Sequence, residues 1–351
     1  MISSGSLGRP LRRRNILGAS LLSLATPAAY AQRQAAPLVE AARREGKVML
    51  YGEIITPTQR AIKAGFQEKY PGITVDTLYL SGAPMMNRFI SEQAAGRHLA
   101  DVLVLDVLRL PALREKGYLA HVVSSEAAGY DAKWQSDPPG DWIETHLYLV
   151  GVMYNKPTVA AAALPRGYDD LLKPEWAGGK IAMVTLVDND LMLYFAAGMI
   201  KDRGETAAFG WFRALAAQKP LIFGPGGIRV SQGVNTGEFA LGLGFVAHVF
   251  TVGGGADGNM AIAPVSPVYA PTGPGTAVVA TAPHPNAARL FANYVNSQEA
   301  QQMISGYGYY STFSGLQQAK PLQGMMLRES PHPEGDEAEA LRRKLGQVFG
   351  P

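Results

Sequence analysis

From Gly46 onward the chain repeats one pattern: a short apolar run, a turn, then a stretch whose apolar residues recur three and four positions apart. This alternation predicts parallel strands joined by crossover helices. Strands buried on both faces read as continuous apolar runs, and a parallel neighbour needs a helix to bring the chain back. Residues 47–51 read as the first strand. Thr56, Pro57 and Gln59 then supply an N-cap, a first-turn proline and a capping-box glutamine ahead of Ile62, Phe66 and Tyr70. Pro71-Gly72 closes that helix. Residues 73–80 form a second strand, a helix carries Phe89, Ile90 and Ala94, residues 101–105 form a third strand, and helix 110–116 ends on Gly117.

A polar, turn-rich segment at 124–141 separates this series from another. The second series comprises strand 147–154, a short helical turn at 168–176, strand 180–184, helices 191–201 and 209–216, and strands 221–223 and 239–245. Strand 276–281, helix 286–296 and a solvated amphipathic helix at 336–348 follow. A length of 351 residues accommodates about two domains. The expected fold is α/β with two lobes, each a mostly parallel sheet flanked by helices, and a cleft between them.

The first 31 residues carry Arg9, Arg12, Arg13 and Arg14, no acid, a short apolar run at 16–25 and Ala29-Tyr30-Ala31. This is the pattern of a secretory signal peptide, and Arg13-Arg14-Asn15-Ile16-Leu17 fits the twin-arginine form. Without that segment 28 basic residues face 29 acidic ones, so the balance gives no reason to expect a nucleic-acid or anionic-membrane surface. The chain has no cysteine, which excludes disulfides, thiolate metal sites and a cysteine-linked lipid anchor.

Ligands of open α/β sheets lie beyond the carboxyl ends of the strands. Those ends hold Glu53, Ser81, Gly82, Asp106, the loop 185–190 with Thr185 and Asp188, the loop 224–229 with Arg229, and the loop 244–248 with Phe245 and His248. A helix starting near Ile228 after a glycine turn would pair free N–H groups with the Arg229 guanidinium, an arrangement suited to an anion; an ordinary surface arginine is the alternative. Glu53 is either an acceptor for ligand hydroxyl and amino groups or a solvated carboxylate. Tyr51, Tyr154, Phe245 and Tyr269 are candidates for apolar cleft walls or for plain core. Asp188-Asn189-Asp190 reads as a helix N-cap rather than a calcium loop. No nucleophile elbow, phosphate loop, zinc helix or dinucleotide fingerprint occurs, so neither catalysis, a resident metal nor a cofactor is expected.

Several segments together resemble the periplasmic solute-binding proteins of ATP-binding cassette importers, in the ferric-iron-type group. They are Val48-Met49-Leu50-Tyr51, Phe66-Gln67-Glu68-Lys69-Tyr70-Pro71-Gly72-Ile73, Ala100-Asp101-Val102-Leu103, Tyr154-Asn155, the run 170–178 with 180–183, Gly237-Glu238 and the run 282–288. The resemblance implies a clamshell with lobe one at 37–150 and 265–320, lobe two at 151–264 and a tail at 321–351. It also implies a monomeric periplasmic carrier that hands a small molecule to a permease and its ATPase. Iron-binding members carry two adjacent tyrosines after the strand that matches 241–244. Here that stretch reads Gly244-Phe245-Val246-Ala247-His248, and the pair Tyr309-Tyr310 lies outside the motif. Ferric ion prefers phenolate and carboxylate oxygen. A small organic anion of the phosphonate, sugar phosphate or carboxylate type is therefore the expected ligand, with ferric iron or a ferric chelate as the alternative.

Overall fold

The computed structural model describes residues 27–52, 56–80 and 83–350. Most of the expected export signal, residues 1–26, lies outside them, as do Glu53, Ser81 and Gly82. The chain separates into an N-terminal unit, residues 1–37, and a main body from Leu38 onward. No described helix is long and apolar enough to cross a membrane.

After α1 (Pro27–Glu45) come β1 (Lys47–Gly52), α2 (Thr56–Lys69), β2 (Thr74–Tyr79), α3 (Ala83–Ala94), β3 (Val102–Asp106) and α4 (Leu110–Glu115). β1 pairs in parallel with β2 and β3, as the alternation of the sequence requires. All five residues of β3 are buried because both faces of the sheet are covered. Val102 and Val104 pack with Phe66 of α2, while Leu103 and Leu105 pack with Phe89 of α3 and Leu113 of α4. The Phe66 ring lies 5.0 Å from Phe291 and 5.5 Å from Tyr294 in edge-on contacts. Burying such a ring contributes about 1.5–3 kcal/mol.

The chain continues through β4 (Ile143–Glu144), β5 (His146–Leu147), β6 (Val150–Asn155), β7 (Ile181–Val184), α5 (Asp190–Arg203), α6 (Glu205–Ala217), β8 (Leu221–Phe223), α7 (Ile228–Thr236), β9 (Leu241–Phe245) and α8 (His248–Thr251). It ends with β10 (Met260–Ile262), β11 (Val268–Ala270), β12 (Pro274–Val278), α9 (Pro285–Asn296), α10 (Gln298–Gly306), β13 (Tyr310–Ser311), β14 (Leu327–Glu329) and α11 (Gly335–Phe349). Two main sheets result. The first has the order β2-β1-β3-β12-β4; the second has the order β14-β11-β6-β9-β7-β8, with β10 also on β6. In the second sheet β7 lies parallel to β8 and β9, whereas β6 runs against β9.

Residues 145–149 carry the chain from the first sheet to the second, and residues 271–273 bring it back. These crossings are paired to each other, with Tyr148 N–H donating to Thr272 O at 2.9 Å and Thr145 N–H to Pro274 O at 3.2 Å. The return falls later than position 265 because Val268–Ala270 still pairs with β14, and Tyr269 with Val150 of β6. The tail helix is less solvated than its mixed charges suggest. Leu345 of α11 is fully buried in the second core, and Phe349 meets the Phe212 ring of α6 at 6.3 Å.

Candidate functional site

The carboxyl ends of the parallel strands place Gly52 and Asp106 on the first lobe and Val184, Phe223 and Phe245 on the second. The two sets come together at Arg109, in the turn after β3. Its Nη2 donates to Asp190 Oδ2 of α5 at 2.8 Å across the cleft. Asp190 Oδ1 accepts from Arg342 Nη2 of α11 at 2.5 Å, and Arg342 Nη1 also donates to the Val187 carbonyl. One carboxylate thus joins two guanidinium groups, one from each side. Arg109 Nε is buried and finds no acceptor among the described residues. A second contact between the lobes forms where Ala247, beyond β9, packs with Tyr148 and Tyr309. His146 lies beneath those rings, 4.9 Å from Tyr309, and its complete burial holds its pKa down at about 3.

The crossing at 271–273 is gripped residue by residue. His332 Nε2 bonds the Pro271 carbonyl, Thr272 Oγ1 donates to Asp106 Oδ1 at 3.3 Å, and the Glu144 carboxyl lies against Gly273. Asp106 Oδ1 also accepts from Leu108 N–H at 3.0 Å, and Gly273 O accepts from Val107 N–H at 3.1 Å. Burial raises both carboxyls, and Glu144 is pushed up to about 8 by desolvation and then by the neighbouring Asp106 charge. Gly273 is the residue the crossing demands: a Cβ there would lie 1.7 Å from His146 O and 3.2 Å from Glu144 Oε1.

On the second lobe Thr185 Oγ1 accepts from Val187 N–H at 3.2 Å and rounds off the loop after β7. Asp188 is exposed beside it, and Asn189 caps α5 by accepting from Met192 N–H at 2.9 Å. Phe245 is half-buried against His248, ring centroids 5.5 Å apart. His248 is buried, with Nδ1 2.8 Å from Ser231 Oγ, and burial holds its pKa down at about 4. Gly227, at φ 66°, is the N-cap of α7; a Cβ there would press on Phe245 and Val184.

Four expected site residues lie elsewhere. Tyr51 is fully buried in the first-lobe core and donates to Glu92 Oε2 at 2.8 Å. Tyr154 pairs with Leu241, at the opposite end of β9 from Phe245, because β6 runs antiparallel. Tyr269 is buried against Tyr168 and Phe195 and donates to Asp202 at 3.0 Å. Arg229 turns away from the start of its helix: its Nη2 bonds Glu238 at 2.5 Å, and its guanidinium lies 5.1 Å from the Phe223 and Phe239 rings. Both contacts hold it within the second lobe.

Arg109, Arg342, Glu144, Thr272 and His332 are not among the expected site residues, and Asp190 is expected only as part of the loop 185–190 and of a helix N-cap. Arg109, three positions past the end of a parallel strand, carried the one usable signal. Among the described residues no group of three histidines, aspartates or glutamates is placed to hold a metal ion.

A two-lobed α/β scaffold with facing strand ends and paired crossings defines a solute-binding protein of the clamshell class. Residues 98–329 match the family model of the bacterial extracellular solute-binding proteins, and the chain belongs to that family. It is 25% identical over 315 residues to iron uptake protein A1 of Synechocystis, spanning 86% of this chain and 84% of that one. Iron-bound HitA from Pseudomonas aeruginosa is 25% identical at a TM-score of 0.68, covering 86% of this chain and 99% of HitA. The substrate-binding protein of an ABC transporter from Agrobacterium tumefaciens shares the fold at a TM-score of 0.72 and 16% identity, over 86% of this chain and 94% of that one.

Proposed function

We propose that this protein captures ferric iron as a chelate with a small organic anion in the interlobe cleft and delivers it to the permease of an ABC importer. It acts as a monomeric periplasmic binding protein rather than an enzyme, exported behind residues 1–31. The iron half of the reading draws on the relatives named for iron, at 25% identity over most of the chain. The anion half rests on Arg109, whose buried Nε still offers a donor at the meeting point of the lobes. A ferric carboxylate brings hard oxygen donors to the metal and leaves negative charge for the guanidinium. This differs from an organic anion held by Arg229, whose partner Glu238 lies in the same lobe, whereas Arg109 meets its partner from the other lobe.

Thermal unfolding with ferric citrate, iron-free citrate, and a panel of phosphonates and sugar phosphates tests the reading. Ferric citrate at about 100 times its Kd should stabilise the protein by roughly 2.7 kcal/mol, while iron-free citrate leaves it unchanged. Arg109→Ala should weaken ferric citrate binding about 10- to 150-fold, the loss of one charge-assisted bond in a closed site. Stabilisation by an iron-free anion but not by ferric citrate would overturn the iron half. Unchanged affinity in Arg109→Ala would overturn the role of Arg109.

A further inference from the structure

We propose that Arg342 of the C-terminal helix is a positioning residue for closure of the cleft: it presents the Asp190 carboxylate to Arg109, so that the tail sets how firmly the two lobes stay together.

The tail runs along the start of α5 from the crossing to the cleft. At one end His332 bonds the Pro271 carbonyl, and its ring meets Tyr194 of α5 edge-on at 5.0 Å. Tyr194 lies one turn beyond Asp190 on the same helix face. At the other end Arg342 meets Asp190 itself. Past that point the tail belongs to the second lobe: Leu341 and Val348 pack on its core, Leu345 is buried in it, and Lys344 pairs with Glu205 of α6 at 2.6 Å. Arg342 therefore moves with the second lobe, while Arg109 moves with the first.

Alone, Asp190 would be a partly exposed carboxylate in the first turn of α5, free to turn into solvent. Arg342 removes that freedom. Its Nη1 takes the Val187 carbonyl and its Nη2 takes Asp190 Oδ1, so the guanidinium clamps both ends of the stretch 187–190 and leaves Oδ2 facing Arg109. The two guanidinium groups use different oxygens and do not compete for one lone pair. Glu339, one turn back on α11, is exposed and 3.7 Å from Arg342 Nε, too far for a hydrogen bond that would draw the side chain away. A carboxylate that is already fixed loses less entropy when the lobes meet, which strengthens its bond to Arg109. All three side chains are the protein's own, so the latch works whatever solute the cleft takes.

The chain has no cysteine, so two introduced cysteines carry the only spin labels. Glu115→Cys at the end of α4 and Lys201→Cys in α5 are exposed positions on the two lobes, and double electron–electron resonance on the full-length, ligand-free protein reads the distance between them. Arg342→Met keeps the apolar stem and removes the clamp. It should lower the ratio of closed to open molecules about two- to fivefold, the worth of one partly exposed ion pair. Arg109→Met should shift the distances the same way. In the Arg109→Met background, Arg342→Met should add nothing, because the bond it acts through is already gone. A distance distribution unchanged by Arg342→Met overturns the proposal. So does a shift toward the closed form, which would mean that Arg342 draws Asp190 away from Arg109, and so does an equal shift in both backgrounds.

Discussion

Replacing Glu144 with glutamine should make the protein more stable at alkaline pH, and the size of the gain follows from proton counting. In the folded chain Glu144 ionises at about 8, whereas in the unfolded chain it ionises near 4.5. Between these values the folded state holds a proton that the unfolded state has released, so stability falls as pH rises, by about 1.4 kcal/mol per pH unit. Two buried histidines act in the opposite direction. His146 and His248 stay neutral down to about 3 and about 4, while their unfolded counterparts take up protons near 6.5, so their stabilisation is lost as the solution is acidified below that point. At pH 6.5 the unfolded histidines are still half-protonated, and the protons they lose by about pH 7.5 return roughly 0.8 kcal/mol to parent and variant alike, so the Glu144 contribution is read as the difference between the two proteins. From pH 6.5 to 8 the parent should lose about 1.6 kcal/mol relative to the variant through this residue, a difference in urea midpoint of roughly 0.5 M for a slope near 3 kcal/mol/M. Glu144→Gln keeps the size and the acceptor oxygen but has nothing to titrate there, so its midpoint should rise slightly over the same range through the two histidines while the parent's falls behind it. Equal slopes in parent and variant would show that Glu144 is already ionised at pH 6.5, and the burial argument would fail.

Two further substitutions separate packing from recognition. Gly273→Ala forces a methyl to within 1.7 Å of His146 O, where backbone on both sides must move; a loss above about 2 kcal/mol in thermal unfolding is expected, and an unchanged Tm would mean the crossings sit further apart. Arg229→Ala removes a half-exposed ion pair with Glu238 and should leave both the Tm and ferric citrate affinity close to the parent, whereas a tenfold loss of affinity in calorimetry would return Arg229 to the site.

The alternation of apolar runs made the parallel sheets legible, since only a strand covered on both faces reads like residues 102–105. Which face a residue takes was not legible. Tyr51 stands one residue before the end of β1 and looks like a cleft aromatic, yet strand parity sends it to α3, while Val48 and Leu50 go to α2 and α9. Strand direction is equally silent in a single segment. Tyr154 ends a strand, as Phe245 does, but β6 runs against β9, so its end lies away from the cleft. The helix starting at Ile228 was expected at the right place; where its arginine points depends on Glu238, which meets it only after Gly237 turns the chain.

Arg109, proposed for recognition, and Arg229 differ in what their ion pairs depend on. Both follow parallel strands, and both form an ion pair. Glu238, the partner of Arg229, lies nine residues away in the same lobe and half-exposed, so that pair neither senses nor sets the angle between the lobes. Asp190, the partner of Arg109, lies in the opposite lobe and is shared with Arg342, so the pair can persist only while the lobes face each other as they do now. Asp190 takes up Nη2 of Arg109, while the buried Nε has no acceptor among the described residues and is the donor proposed for the solute anion. A solute bound there would add a bond that depends on the same interlobe geometry as the ion pair. It would therefore bind the closed form more tightly than the open one, which is the differential affinity a ligand needs in order to drive closure.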